Sequence, residues 1–254
     1  MRLIRPQWEA PVQVNAFVTT RSGGISAHPY ASLNLGEHVG DDHSNVLANR
    51  LAVRAHLPSD PIWLNQTHST SVSTPASRTL LRLGMPIDAD ASITNIPDEV
   101  LAIMTADCLP VLISTIDGTV VGAAHAGWRG LCAGVIENTV SEMLKLAPRL
   151  TSNDFIAWLG PAIGPQSFEV GDDVVQAFDD AGSQKPESAF RPIEGRPGKY
   201  LADIYQLARE RLNGLGISNI AGGDHCTVKE DQDFFSYRRD GKTGRFATFI
   251  WISK

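Results

Sequence analysis

Cys108 and His125 are the residues whose types and surroundings best suit catalytic chemistry. Asp107 and Pro110, which flank Cys108, are poor choices for a plain core strand, and His125 opens a glycine-containing loop that continues to Gly130. An isolated cysteine is more often a small buried hydrophobe. Because thiolate and imidazole together are ligands that zinc prefers, these neighbours favour a shared functional site.

A predicted hairpin brings the two residues together. Two strand-like runs flank Asp117-Gly118, a dipeptide typical of a two-residue turn. If Asp117 and Gly118 are the central residues of that turn, Pro110 lies opposite His125. Cys108 comes two residues before Pro110 on the same strand and is therefore a diagonal neighbour of His125. Diagonal neighbours of this kind are about 7 to 8 Å apart, so their side chains can reach one ion.

A catalytic zinc ion normally has three protein ligands and one open position. His68 is the best candidate for the third ligand, because it lies among hydrogen-bonding side chains in Leu64-Asn-Gln-Thr-His-Ser-Thr70. Taken alone, a histidine in such a segment is more often an ordinary surface residue. The spacing therefore leaves both interpretations of His68 open.

The elements that must position these residues alternate between strands and helices. β-Branched and aromatic runs predict strands over Val100 to Met104, Val111 to Ile116, Thr119 to Ala124, Phe155 to Leu159 and Phe246 to Ile252. Apolar periodicity predicts helices over Leu131 to Ala147, Val174 to Ala181 and Leu201 to Leu212. The tight hairpin and the missing GxGxxG motif favour a mixed α/β sheet over a Rossmann fold.

Composition narrows the class of protein. The chain has 254 residues, 43% hydrophobic and 20% charged, with a net charge of -6, so we expect one globular domain over residues 1–254. The negative charge argues against nucleic-acid or membrane partners. No signal peptide and no apolar run of roughly 18 residues is present, so we expect a cytoplasmic protein. Three scattered cysteines argue against a disulfide framework.

The chain resembles the laccase-domain purine nucleoside phosphorylases, also called polyphenol oxidase or peptidoglycan-editing-factor proteins. Seven motifs spread in order along nearly the whole chain carry the resemblance. They are Thr19-Thr-Arg-Ser-Gly-Gly24, Asn65-Gln-Thr-His68, Asp88-Ala-Asp90, Thr105-Ala-Asp-Cys-Leu-Pro110, His125-Ala-Gly-Trp-Arg-Gly130, Leu159-Gly-Pro-Ala-Ile-Gly164 and Phe234-Phe-Ser-Tyr-Arg-Arg-Asp-Gly241.

The resemblance implies a layered α/β/β/α sandwich and one zinc ion held by His68, Cys108 and His125. It also implies phosphorolysis of adenosine, inosine, guanosine and methylthioadenosine, together with deamination of adenosine. The expected partners are therefore purine nucleosides and inorganic phosphate.

Phosphorolysis needs cations that hold phosphate. The anion binders available in the family motifs are Arg21, Arg129, Arg238 and Arg239. Arg21 precedes Ser22-Gly23-Gly24, where glycines permit a close approach of the backbone to a phosphate or ribose. An arginine before glycines is also common in ordinary turns, and only the resemblance favours binding at Arg21.

Deamination needs an activated water and a proton carrier. Asp107 is the predicted catalytic carboxylate beside Cys108 and His125, and Asp90 is a second candidate. Either carboxylate is equally suited to supporting a metal ligand by a hydrogen bond. The H-x-E and P-C-x-x-C pattern of known zinc deaminases is absent, so any deamination here uses a different scaffold.

The segment Phe234 to Gly244 mixes aromatic and cationic residues. It suits stacking of a base, and equally a hairpin around Asp240-Gly241 with its aromatics in the core. We interpret Cys132 and the neighbours His225 and Cys226 as structural residues.

Three other functions compete. A multicopper oxidase is excluded by the seven histidines and the lack of a His-x-His pair, although copper can enter a zinc site adventitiously. A metal-free cysteine hydrolase acting on an amide of a peptidoglycan precursor would use Cys108 and His125 as nucleophile and base. A nucleoside-binding protein without turnover would have the same pocket.

Overall fold

The computed structural model describes residues 1–80, 87–182 and 187–254, which form a mixed α/β fold. The described strands are β1 Leu3–Ile4, β2 Val14–Thr19, β3 Pro61–Ile62, β4 Val72–Ser73, β5 Ala91–Thr94, β6 Val100–Thr105, β7 Leu109–Thr115, β8 Val121–Ala126, β9 Phe155–Leu159, β10 Glu169–Gly171, β11 Phe190–Pro192, β12 Lys199–Ala202, β13 Asn219–Gly222 and β14 Phe246–Ile252. The described α-helices are α1 His43–Arg54, α2 Pro75–Leu80, α3 Trp128–Ala133, α4 Val135–Leu146, α5 Asp172–Asp180, α6 Ile204–Gly214 and α7 Tyr237–Asp240.

Two large sheets form the centre of the described structure. The first has the strand order β1-β2-β14-β6-β3, and the second has the order β13-β9-β7-β8-β5-β4. Both are mixed. In the first sheet β3 runs parallel to β6, in the second β13 runs parallel to β9 and β4 runs parallel to β5, and the other neighbouring strands are antiparallel. A small sheet, β10-β12-β11, lies beside them. This topology confirms the expected mixed sheet and is unlike a Rossmann fold.

Alternation along β6 shows how the layers stack. Leu101 and Ile103 belong to the core between the two sheets, whereas Val100 and Ala102 face the core under α1. On the far side of the second sheet, Val140 of α4 joins a third core together with α3, α5 and α6. The order helix, sheet, sheet, helices is the expected α/β/β/α sandwich.

The predicted helix over Leu131 to Ala147 is wrong as one element. Gly134 has a φ of 97° and is both the C-cap of α3 and the N-cap of α4, because glycine adopts this left-handed conformation without steric cost. Helix α3 begins directly after Gly127, close to the end of β8, and ends just before Gly134. The break allows a separate short helix to face the end of the hairpin.

Two other predicted elements also need correction. Leu201 belongs to β12, and α6 begins only at Ile204, where the Asp203 carboxylate accepts a hydrogen bond from Gln206 N. The hairpin around Asp240-Gly241 is wrong, because Ser236 caps the short helix α7 at that position.

In the segment Phe234 to Gly244, the alternative that places the aromatics in the core is confirmed for Phe234 and Phe235, which are fully buried. Tyr237 is exposed. No helix in the described part of the chain is long and apolar enough to span a membrane.

Candidate metal centre and its cavity

The β7–β8 hairpin has the register that the turn predicts. Pro110 pairs with His125, and Leu109 pairs with Ala126. Cys108 immediately precedes β7, and the neighbouring Asp107 has a φ of 94°. The bend before β7 thus lies at the same end of the sheet as His125.

Asp90 holds His125 and the His68 loop in place. Its buried carboxylate lies 2.8 Å from Nδ1 of His125 and accepts hydrogen bonds from the backbone nitrogens of Thr67, His68 and Ser69 at 3.1, 3.0 and 2.6 Å. A histidine that bonds a carboxylate through Nδ1 has Nε2 available for a metal. Asp90 therefore positions two candidate ligands at once.

His68, Cys108 and His125 form one cluster. Their ligand atoms all lie within 4.8 Å of one another, and Cys108 Sγ is 3.8 Å from His68 Nε2. The rings of the two histidines are 4.8 Å apart between centroids. The donor set of one thiolate and two imidazoles fits zinc with one position left for a substrate or water.

Gly127 leaves the space that this cluster needs. A Cβ at this position would lie 3.0 Å from both Cys108 Sγ and His68 Cδ2. Any larger residue would have to push the thiol or the imidazole away, so the glycine after β8 is part of the architecture of the site.

Cys108, His125 and Asp90 shift the pKa values of one another. Burial opposes ionisation of Cys108, but the adjacent His125 and His68 lower the pKa of its thiol to about 6. Burial likewise opposes protonation of His125, yet Cys108 and Asp90 raise its pKa to about 9. Burial also acts against the Asp90 carboxylate, and hydrogen bonds from His125 and Ser69 outweigh it and lower the pKa of Asp90. The cluster favours a thiolate, as metal binding and nucleophilic chemistry both require.

A cavity of about 490 Å3 opens over the cluster. Part of its wall is apolar and aromatic, with Trp128, Ile163 and Phe168. Another part is polar and includes His38 and Arg245. A cavity of this size, with an apolar wall and a few polar groups, suits a small molecule rather than a polymer.

The structure brings two of the four predicted anion-binding arginines to this cavity. Arg129 and Arg238 line it, are exposed, and lie over the rings of Trp128 at 4.3 Å and Phe168 at 5.7 Å.

The other two predicted arginines lie outside the lining of the cavity. Arg21 donates to the carbonyl oxygens of Ala31 and Asp231. Arg239 is bound by the Asp240 carboxylate and by three carbonyl groups, those of Thr227, Val228 and Phe234.

The glycines after Arg21 are also engaged. The Gly23 and Gly24 nitrogens both donate to Ser32 Oγ, at 3.1 and 3.2 Å. A Cβ at Gly23 would lie 2.5 Å from Cα of Met1. Met1 and Ser32 of the chain itself therefore occupy the space beside these glycines where we expected a phosphate or ribose.

Asp107 lines the cavity but its carboxylate is already engaged. One oxygen accepts from Thr227 Oγ1 at 2.5 Å, and the other accepts from the Arg238 backbone nitrogen at 2.6 Å. The side chain thus ties together two segments that follow β13. The residue lies in the cavity lining next to Cys108.

The sequence did not point to His38, Gln66 or Arg245 as cavity residues. Gln66 is fixed by reciprocal bonds with the backbone of Met104, at 2.8 Å each. Gln66 did lie in a family motif, and Arg245 directly follows the Phe234 to Gly244 segment. His38 has no such signal.

The remaining cysteines lie outside the cluster. Cys132 Sγ donates to the Ala177 carbonyl, and Cys226 Sγ accepts from Gly164 N at 3.3 Å. His225 bonds Glu230 at 2.7 Å.

These features define a class: a mixed α/β sandwich with a candidate His-Cys-His metal centre at the floor of a small-molecule cavity. Residues 15–253 match the family described as multi-copper polyphenol oxidoreductase laccase. The chain belongs to this family.

Relatives and solved structures agree with that assignment. The chain is 51% identical to the purine nucleoside phosphorylase of Haemophilus influenzae, covering 99% of this chain and 100% of the relative. It is 52% identical to purine nucleoside phosphorylase YfiH of Escherichia coli, covering 99% of each. A crystal structure of a DUF152 protein from Neisseria meningitidis superposes with a TM-score of 0.90 at 46% identity, covering 100% of both chains.

Proposed function

We propose that this chain is a zinc-dependent purine nucleoside phosphorylase that also deaminates adenosine. The observation that carries the proposal is one cavity in which a cysteine thiol and two imidazoles adjoin aromatic residues and arginines. The names of the relatives support a phosphorylase. Adenosine, inosine, guanosine and methylthioadenosine are the proposed nucleosides, and inorganic phosphate is the second substrate.

His68, Cys108 and His125 would hold the zinc ion. Bound zinc supplies a Lewis acid at the floor of the cavity. Copper prefers the same nitrogen and sulfur donors and would enter adventitiously. The family description mentions several coppers, but within residues 1–80, 87–182 and 187–254 this is the one group of three such donors.

The cavity walls suit a purine base and a phosphate ion. Phe168 and Trp128 offer ring surfaces to a flat purine, and Ile163 adds an apolar contact. Arg129 and Arg238 place positive charge on the same cavity and attract the phosphate anion. Binding both substrates in one enclosure would convert their encounter into an intramolecular reaction.

Asp107 is the proposed proton carrier for deamination. Asp107 is a lining residue of the cavity and neighbours Cys108 in the chain, and a carboxylate there would carry a proton to or from a bound purine. Asp90 is engaged by the His68 loop and by His125, which favours a supporting role for Asp90.

The test combines zinc analysis of the purified protein with an adenosine assay run with and without phosphate. We expect about one zinc per chain, release of adenine only with phosphate, and formation of inosine independent of phosphate. Binding of adenosine without either product over several hours would instead indicate a nucleoside-binding protein.

A cysteine hydrolase is the second candidate, because the lowered pKa of Cys108 and the His125–Asp90 pair also suit a nucleophile, a base and its orienting group. The two functions separate on metal and phosphate. A phosphorylase loses activity on chelation and requires phosphate, whereas a thiol hydrolase needs neither.

A further inference from the structure

Arg245 is a cation without a carboxylate partner on the cavity wall. Among the described residues, no carboxylate oxygen lies within 4.0 Å of its guanidinium. Its only described side-chain hydrogen bonds run from one nitrogen to the carbonyl oxygens of Thr243 and Gly244, at 3.1 and 3.0 Å. The remaining donors of a half-buried guanidinium therefore have no partner from the described chain.

Three other half-buried arginines have a carboxylate partner, and Arg21 and Arg209 bond backbone carbonyls through two nitrogens each. Arg50 is 3.4 Å from Glu37, Arg78 is 2.6 Å from Glu99, and Arg211 is 2.9 Å from Glu137. Taking a charge out of water without a partner is costly. The cost at Arg245 is offset if an anion occupies the cavity beside it.

The chain holds Arg245 firmly in this position. Its backbone nitrogen donates to Asn34 Oδ1 at 2.9 Å, and its carbonyl accepts from Leu35 N at 3.0 Å. Asn34 Oδ1 also accepts from Gly36 N at 3.0 Å. A Cβ at Gly36 would lie only 2.8 Å from Cγ of Arg245, so glycine is what lets the arginine stem pass.

His38 belongs to the same wall. The short 3-10 turn Glu37–Val39 begins directly after Gly36 and brings His38 to the cavity that Arg245 lines. Tyr30 fixes the end of that turn with a bond from its hydroxyl to the Val39 carbonyl, at 2.8 Å. An imidazole and a guanidinium on one rigid wall offer several N–H donors, as an oxyanion requires.

We propose that Arg245, with His38 beside it, binds the phosphate dianion that attacks the nucleoside. The inference rests on the proposed phosphorylase function and names the residues that the second substrate contacts. The exposed Arg129 and Arg238 then attract phosphate to the cavity, and Arg245 fixes it there.

The charge balance of phosphorolysis explains why a fixed cation is useful. A phosphate oxygen bonds to C1′ of the ribose as the bond from C1′ to the purine nitrogen breaks. The bonding electron pair leaves on the purine, which takes up the proton of hydrogen phosphate. The phosphoryl group carries negative oxygens before and after the step, so a guanidinium can hold and orient it throughout.

The test is the Michaelis constant for each substrate in Arg245→Gln, Arg245→Lys and Gly36→Ala, with Arg149→Gln as control. Arg149 is an exposed arginine outside the cavity lining, so its replacement removes the same charge. We expect Arg245→Gln to raise the KM for phosphate about 10- to 100-fold, the usual effect of losing hydrogen bonds to a charged group. The KM for adenosine should change less than about threefold. Lysine should restore part of the loss, because it keeps charge without the planar fork.

Gly36→Ala tests the position of Arg245 without removing its charge, and it too should raise the KM for phosphate. His38→Gln should do so by a smaller factor. Calorimetric titration of inorganic phosphate into the zinc-loaded protein provides a readout that needs no turnover. Weaker phosphate binding by Arg245→Gln than by the wild type would support the subsite even if the wild type proves inactive and the phosphorylase proposal fails.

Three results would overturn the subsite. The first is an unchanged KM and unchanged calorimetric affinity for phosphate in a folded Arg245→Gln protein. The second is an equal rise in the KM of adenosine and phosphate, which would make Arg245 a general structural support. The third is a wild-type protein that does not bind inorganic phosphate at all. Thermal unfolding of each variant establishes that the compared proteins are folded.

Discussion

The metal cluster of His68, Cys108 and His125 and the wall formed by Arg245 and His38 line the same cavity, but the chain holds them in different ways. His125 lies in a central strand, and Asp90 ties it to the loop of His68. Arg245 directly precedes β14, and it is held by Asn34 and Gly36, which are far away in sequence. The charges of the metal cluster are paired within the protein, whereas the Arg245 guanidinium has no carboxylate partner among the residues that the structure describes.

The difference matches two kinds of binding, that of a metal ion and that of an oxyanion. A metal site needs ligand atoms fixed near one another before the ion arrives, so internal hydrogen bonds that orient them are beneficial. An oxyanion site needs donors left unsatisfied by the protein, so that the substrate completes them. Substitutions in the metal cluster should therefore change metal content, while substitutions on the wall should change substrate affinity alone.

Removal of Cys108 should have the largest effect. Cys108→Ala deletes one of three candidate ligands, so zinc should fall from about one per chain to a small fraction, with loss of phosphorolysis. Elemental analysis after dialysis measures the change. Cys132→Ala is the matched control, because the Cys132 thiol only bonds the Ala177 carbonyl. A full zinc complement in Cys108→Ala would remove this residue from the ligand set.

Substitution of Asp90 should have the next largest effect. Asp90→Asn replaces an acceptor of several N–H groups by an amide that also carries donors. We expect about a 10- to 100-fold loss of zinc affinity, as for other groups that orient metal ligands. Competition with a chromophoric chelator measures it.

Asp88→Asn is the control for this substitution. Asp88 is an exposed carboxylate that bonds the side chain of Asn65. Wild-type zinc affinity in Asp90→Asn would show that the His68 loop holds its shape without this carboxylate.

The pH dependence of the metal-free protein tests the same cluster. A thiol whose pKa is lowered to about 6 is largely thiolate at pH 7 and becomes protonated as the pH falls below 6. Alkylation of Cys108 by iodoacetamide should therefore be fast at neutral pH and slow below pH 6.

Cys132 provides the contrast to Cys108. Burial raises the pKa of Cys132, so its reaction should accelerate only in alkaline solution. Mass spectrometry of peptides after timed alkylation distinguishes the two sites. A Cys108 that reacts only in alkaline solution would show that His125 and His68 do not stabilise its thiolate.

The sequence was informative where the structure depends on neighbours along the chain. Asp117-Gly118 set the register that pairs Pro110 with His125. The same local reasoning missed Gly134, since an apolar stripe continues through a glycine whose left-handed conformation interrupts the helix. Periodicity reports which face is buried, and it does not report whether the axis of the helix continues.

Contacts between distant segments could not be predicted. Asn34 and Arg245 are 211 positions apart, and nothing in either segment indicates the other. His68 could be named only by resemblance, because its place depends on hydrogen bonds from a loop to Asp90. Among the four predicted arginines, residue type alone could not separate those facing the cavity from those bound by backbone carbonyls, such as Arg239.

The exposed arginines should give the smallest effect and thereby sharpen the contrast with Arg245. Arg129 and Arg238 are solvated and lie over aromatic rings, so each interaction with phosphate is screened by water and salt. We expect Arg129→Gln and Arg238→Gln to lower kcat/KM about two- to fivefold at low ionic strength, chiefly through slower association. The difference should vanish near 1 M salt, where the Debye length is about 3 Å. Assays at both ionic strengths measure it, and a loss of 50-fold that persists in salt would place that arginine with Arg245 in direct contact with the anion.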